Sequence, residues 1–100
     1  MVNFVLTNMA VEDLTNIWNY TYETWSERQA DTYYELLISS CEIVSFNPGK
    51  GNNYHSIDNN VLGYSASHHI IFYRIMDNDK IEVLRILHGS MDLKNRMKDK

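Results

Sequence analysis

Trp25-Ser26-Glu27-Arg28-Gln29-Ala30 is the stretch on which the fold turns. A serine followed three residues later by glutamine is a capping box: the hydroxyl accepts from the backbone amide of Gln29, and the Gln29 side chain can reach back. A helix starts here, so Trp25 closes the one before it. Two helices with almost no linker form an αα-hairpin. Upstream, Leu14, Ile17, Trp18, Thr21, Tyr22 and Trp25 recur at steps of three and four, with Glu12, Asn16, Asn19 and Glu23 on the other side. Thr7 or Asn8 can cap this first helix, and Glu12 and Asp13 fall in its early turns, where the helix dipole favours anions. Downstream, Ala30, Tyr33, Tyr34, Leu37, Cys41 and Val44 trace an apolar stripe, and Glu27, Asp31 and Glu35 an acidic ridge. Asn47-Pro48-Gly49 ends the second helix, because proline disfavours helix in the residue before it and glycine permits the reversal.

Outside the hairpin the period changes. Val2, Phe4 and Leu6 alternate as in a half-buried strand, and residues 49–60 are polar and turn-rich, so they read as a loop. Strand signals follow at 61–66, 69–76 and 81–87, the last two separated by the turn Asp77-Asn78-Asp79-Lys80. The order β-α-α-β-β-β predicts an α+β layered domain with both helices on one face of a small antiparallel sheet. One domain is expected over 1–100, with a C-terminal tail from about residue 89.

One hundred residues with 44% apolar and 12% aromatic content suffice for one compact core. Those values exclude a multidomain enzyme and a disordered chain; one proline and four glycines exclude low-complexity character. The net charge is −4, which makes a poor generic nucleic-acid binder. Charge is uneven, however: residues 1–60 sum to −6 and residues 61–100 to +2, with Lys94, Arg96, Lys98 and Lys100 against Asp99 at the end. A lone cysteine, Cys41, forms neither an internal disulfide nor a cysteine-rich zinc site, and fits a reducing cytoplasm. No signal-peptide pattern opens the chain and no apolar run reaches the length of a membrane span.

Four histidines invite a metal-site reading. His68 and His69 are adjacent, so on a strand they point to opposite faces; His55 and His88 lack a partner at a ligand spacing. No metal is expected. Cys41, inside an apolar stripe, reads as core, and Gly49-Lys50-Gly51 lacks the spacing of a phosphate loop. One polar cluster remains, Tyr73, Arg74, Arg85, His88 and Met91-Asp92, on the last two strands and just after them. Acid–base cleavage of RNA would use such a set, but from spacing alone ordinary pairing of the arginines to Glu82 or Asp92 is the better account, and Arg85 and His88 share a site only if a bend follows Leu87. The aromatic stripe of Trp18, Tyr22, Trp25, Tyr33 and Tyr34 is expected to be core.

From Leu6 to about Met97 the chain resembles the ParE-type toxins of the RelE/ParE superfamily. The resemblance lies in Asp13-Leu14-x-x-Ile17-Trp18-x-Tyr20, Trp25, Gln29-Ala30, Tyr33, Asn47-Pro48-x-x-Gly51, the run from His69 to Arg74, and Val83-Leu84-Arg85-Ile86-Leu87-His88-x-x-Met91-Asp92. It implies a RelE-like fold and the toxin half of a type II toxin–antitoxin module. Such toxins, without catalytic residues or cofactor, poison bacterial DNA gyrase, and a ParD-like antitoxin neutralises them. Carried onto this sequence, it gives a target surface of Arg74, Arg85, His88, Met91, Asp92, Lys94 and Arg96, and an antitoxin surface of Tyr20, Trp25, Tyr33 and Tyr73. Neither membrane association nor sequence-specific nucleic-acid binding by the toxin alone is expected. The alternatives are a ribosome-dependent mRNA endonuclease of RelE type, using Arg74, Arg85 and His88, and a degenerate toxin that binds only its antitoxin. Ser90 and Gly63 stand where many relatives carry arginine.

Overall fold

A computed structural model describes residues 3–54, 60–77 and 79–89. Strand β1 (Phe4–Leu6) leads into helices α1 (Asn8–Thr24) and α2 (Glu27–Phe46). A 3-10 turn (Pro48–Lys50), a two-residue strand β2 (Asn52–Asn53) and strands β3 (Leu62–Ala66), β4 (His69–Ile75) and β5 (Ile81–His88) follow. The helix boundaries have the expected cause. Thr7 Oγ1 accepts from Ala10 N at 3.1 Å, and Ser26 Oγ accepts from Gln29 N at 3.1 Å. Each satisfies an amide that an opening helix leaves without a partner.

The predicted α+β layering is present, and the sheet is mixed rather than wholly antiparallel. Its order is β1-β5-β4-β3-β2, and β1 lies parallel to β5 with Phe4 opposite Ile81 and Leu6 opposite Val83. The helical hairpin intervenes between these two strands, and that excursion is what allows a parallel pairing. β2, within the stretch read as loop, adds a short antiparallel edge beside β3.

β1 stops at Leu6, and α1 takes over the edge it leaves. Thr7 N donates to Val83 O (3.1 Å), Thr7 Oγ1 donates to Leu84 O (2.8 Å), and Asp13 Oδ2 accepts from Ile86 N (3.0 Å). Unpaired backbone groups on a covered edge are costly, and these three bonds remove that cost. Leu84 is also where β5 carries an extra residue: Phe72 faces Arg85 while Tyr73 faces Val83. This bulge resets the alternation of side chains along the strand.

Ala10, Leu14, Leu37, Cys41 and Val44 from the helices meet Ile71, Tyr73, Ile81, Val83 and Ile86 from the sheet. The opposite sheet face carries a smaller cluster, Val61, Phe72 and Leu87, under Tyr54. Gly63 fits here because a Cβ would stand 2.4 Å from the Tyr54 ring. A side chain at position 63 therefore requires Tyr54 to move. Among the described residues no helix is long and apolar enough to cross a membrane.

Candidate functional site

The polar cluster read from the last strands separates into three places. Arg74 lies opposite Glu82 across β4 and β5, with Nε donating to Oε1 at 2.6 Å. This is the ordinary pairing considered above. Arg85 is only 3% exposed and is held by Asp13: Nε donates to Oδ2 at 2.8 Å and Nη2 to Oδ1 at 3.0 Å. This is a bidentate pair inside the fold, so Arg85 is not a surface contact residue. His88 lies at the far end of β5 opposite His69, roughly 17 Å along β4 from Arg74 at ~3.4 Å per residue. The described chain therefore does not gather Arg74, Arg85 and His88 into one site.

Tyr73 is likewise corrected. It is 0% exposed, and its hydroxyl donates to Pro48 O (2.5 Å) and accepts from Gly51 N (3.1 Å). Burial pushes its phenol pKa up, against the lowering effect of the Gly51 amide. Its role is to fasten the turn after α2 to the sheet. A Cβ at Gly51 would stand 2.3 Å from that hydroxyl, so the position needs glycine for space. Cys41 is buried as expected, with its thiol pushed up to about 12 by burial and by Glu42. Met91, Asp92, Lys94 and Arg96, together with Ser90 and His55, lie outside the described residues.

Tyr20, Trp25 and Tyr33 do come together. They line a cleft of about 690 Å³ between the closed end of the hairpin and the β3–β4 turn. Asn16, Ile17 and Thr21 complete its α1 wall, Gln29 stands beside Tyr33 on α2, and Ser67, His68, His69 and His88 form the floor. Helical spacing explains the walls: 16, 17, 20 and 21 share one side of α1, and 29 and 33 are one turn apart on α2. Tyr20 is 67% exposed; Trp25, Tyr22 and Tyr34 are 70%, 50% and 41% exposed, which overturns the expectation that the aromatic stripe is core. Trp18 and Tyr22 stack on each other outside the cleft (5.2 Å, 7°), and Trp18 Nε1 donates to Asp31 at 3.0 Å, tying α1 to α2.

The histidines also sit differently from a plain alternation. His68 belongs to the two-residue turn between β3 and β4, where Ser67 takes a positive φ of 59°. That turn stacks His68 on His88 (6.3 Å, 4°), while His69 meets His88 edge-on (5.3 Å, 78°). Three imidazoles are thus neighbours, yet no group of three or more potential ligands among the described residues is arranged for a metal ion. Tyr33 secures the floor: its oxygen accepts from His68 N (3.2 Å) and lies 2.6 Å from His69 Nδ1. Burial pushes the Tyr33 phenol pKa up, opposed by bonds from His68 N–H and the Ser67 side chain. Burial, then the neighbouring charges of His88 and His68, bring His69 down to about 4, against the opposite pull of Asp13. His69 is neutral at pH 7, so one ring nitrogen donates and the other accepts, and the imidazole tautomer sets the direction of its bond to Tyr33.

Two features escape a reading of the residues alone. Asp13 shares the stripe of Ala10, Leu14 and Ile17, and an acid on the buried side of a helix signals a buried cation. The histidine cluster has no such signal, because it depends on a left-handed turn at Ser67.

The family model for the ParE toxin of the type II toxin–antitoxin system parDE matches residues 4–93. Toxin ParE1 of Mycobacterium tuberculosis is 32% identical over 90 residues, spanning 90% of this chain and 92% of its own. Toxin ParE1 of Caulobacter vibrioides is 29% identical over 92 residues, spanning 92% and 94%. Among solved structures, a chain of a chromosomal ParDE system from P. aeruginosa superposes with a TM-score of 0.75 over 88% of this chain and 96% of its own, at 17% identity. With the fold and these matches in agreement, the chain belongs to the ParE toxin family of type II toxin–antitoxin systems.

Proposed function

We propose that this chain poisons bacterial DNA gyrase in the cytoplasm by binding, without catalysing a reaction, and that a ParD-like antitoxin silences it through the aromatic cleft. The observation that carries the reading is the engagement of both candidate arginines by carboxylates, Arg85 by Asp13 and Arg74 by Glu82. An endonuclease of the alternative kind needs those guanidinium groups on phosphate, close to an acid–base residue. A poison needs only a surface that favours one intermediate of its target's cycle, because a ligand shifts a population by differential affinity alone. His88, at the end of β5, leads into the sequence in which Lys94, Arg96, Lys98 and Lys100 are concentrated, and that segment is the proposed target surface. The cleft supplies the other half: exposed rings in a concavity suit the anchors of an amphipathic helix.

Titrating the purified chain into a gyrase supercoiling reaction tests the target, with loss of supercoiling and accumulation of cleaved plasmid expected together. A folded chain that leaves both unchanged overturns the gyrase reading, and a ribosome-dependent mRNA cleavage assay then tests the alternative. Co-expression with a ribbon-helix-helix protein from the adjoining reading frame tests the partner, with a stable complex and rescued growth as the expected result.

A further inference from the structure

The cleft's chemistry selects one kind of anchor. Its lip is aromatic, Tyr20 and Trp25, and Asn16 on the α1 wall, Gln29 on α2 and Ser67 on the floor bring side-chain oxygens that can accept hydrogen bonds. An aliphatic or purely aromatic anchor would cover those acceptors and leave them unsatisfied. The field around the cleft is negative. Residues 8–46 carry seven carboxylates against Arg28, and Asp13 is the one neutralised by Arg85. Glu12 lies one turn from Asn16 and Glu23 one turn from Tyr20, so both flank the α1 wall. An anionic anchor is repelled there and a cation attracted. Among cations, guanidinium is planar, weakly hydrated and rich in donors; it stacks on Trp and Tyr while its edges reach several acceptors.

We propose that this cleft is a guanidinium receptor: the antitoxin anchors by inserting an arginine side chain against Trp25 and Tyr20, with its donors turned to those acceptors. The proposal rests on the antitoxin reading for the identity of the partner, but the cleft's selectivity is a property of this chain alone.

The test is an NMR titration of the isolated chain with three N-acetyl amino-acid amides: arginine, its uncharged near-isostere citrulline, and phenylalanine. Arginine amide should shift the Trp25 indole and the amides of Ser67, His68 and His69, and bind at least about five-fold more tightly than citrulline amide. Trp25→Ala should abolish those shifts. Phe46→Ala, which removes an equally exposed ring (69%) at the other end of α2, should leave them intact. Equal binding of arginine and citrulline, a preference for phenylalanine, or no perturbation of the cleft overturns the proposal. If arginine binds as described while the co-expressed partner forms no complex, the antitoxin reading has failed and the receptor stands. If a complex forms although the chain is indifferent to arginine, the receptor has failed and the antitoxin reading stands.

Discussion

Arg85 and His88 stand three residues apart on the same strand and have opposite surroundings. Arg85 is met by both oxygens of Asp13, and the neighbouring Ile86 amide shares one of them. His88 faces His68 and His69 across a cleft that opens beside exposed Tyr20 and Trp25. In the first place the chain completes its own polar interactions and excludes water. In the second it leaves rings and acceptors accessible. Residue type does not tell these places apart, since both contain arginine-sized or aromatic polar groups that could serve a ligand. The difference is whether α1 closes over the strand, which it does where β1 ends and no longer does one helical turn further on.

The largest effect is expected where that closure is broken. Asp13→Ala takes both carboxylate oxygens from a buried guanidinium and the acceptor from the Ile86 amide, and should lower unfolding stability in urea by about 3–5 kcal/mol. Exchanging both partners, Asp13→Leu with Arg85→Met, should cost much less than the sum of the single changes, because no buried charge remains. About 1–3 kcal/mol should persist for the orphaned Ile86 amide. A single change costing under about 1 kcal/mol would erase the distinction between the two places.

The next effect comes from the cleft floor and is a pH dependence. His69 titrates at about 4 in the folded chain against 6.5 ordinarily. On acidification the unfolded chain therefore takes up the proton first. The stability associated with neutral His69 is complete above about pH 6.5 and is lost as pH falls toward 4. Since the ring is partly open to solvent, the loss should be roughly 1–2 kcal/mol rather than the full value implied by the shift. Urea midpoints collected from pH 7.5 to 4.5 should show this limb, and His69→Gln should flatten it. Tyr73→Phe belongs with the closed region: it leaves Pro48 O and Gly51 N without their partner and should cost about 1–2 kcal/mol at every pH in that range.

How far residues alone reach follows the same division. The Ser26 cap, the limits of the two helices and the three final strands are local patterns, and the structure contains them within a residue or so. The parallel pairing of β1 with β5 joins residues nearly eighty apart, and no local period encodes it. Tyr73 reads as a surface aromatic because the bulge at Leu84 and the turn at Pro48, neither of them a local pattern, decide where its hydroxyl ends. Trp25 follows Leu14, Ile17, Trp18, Thr21 and Tyr22 at steps of three and four, the spacing of a core stripe, yet it is the residue that closes α1 and it stays exposed. Asp13 is readable in principle, as an acid inside an apolar stripe, but its partner is not.

The smallest expected change in stability is the most informative about function. Trp25→Ala and Tyr20→Ala remove large rings that are mostly in water, so each should alter unfolding stability by no more than about 0.5 kcal/mol. An aromatic residue of this size ordinarily contributes several kcal/mol when it is packed. Two of them exposed together on the rim of one concavity are what the proposed antitoxin surface requires. Complex formation with the partner should accordingly fall at least about thirty-fold for Trp25→Ala, the loss expected for an interface hot spot. Thermal unfolding measured in parallel should stay unchanged. If the two measurements moved together, the rings would belong to the fold after all, and the closed and open regions would be one.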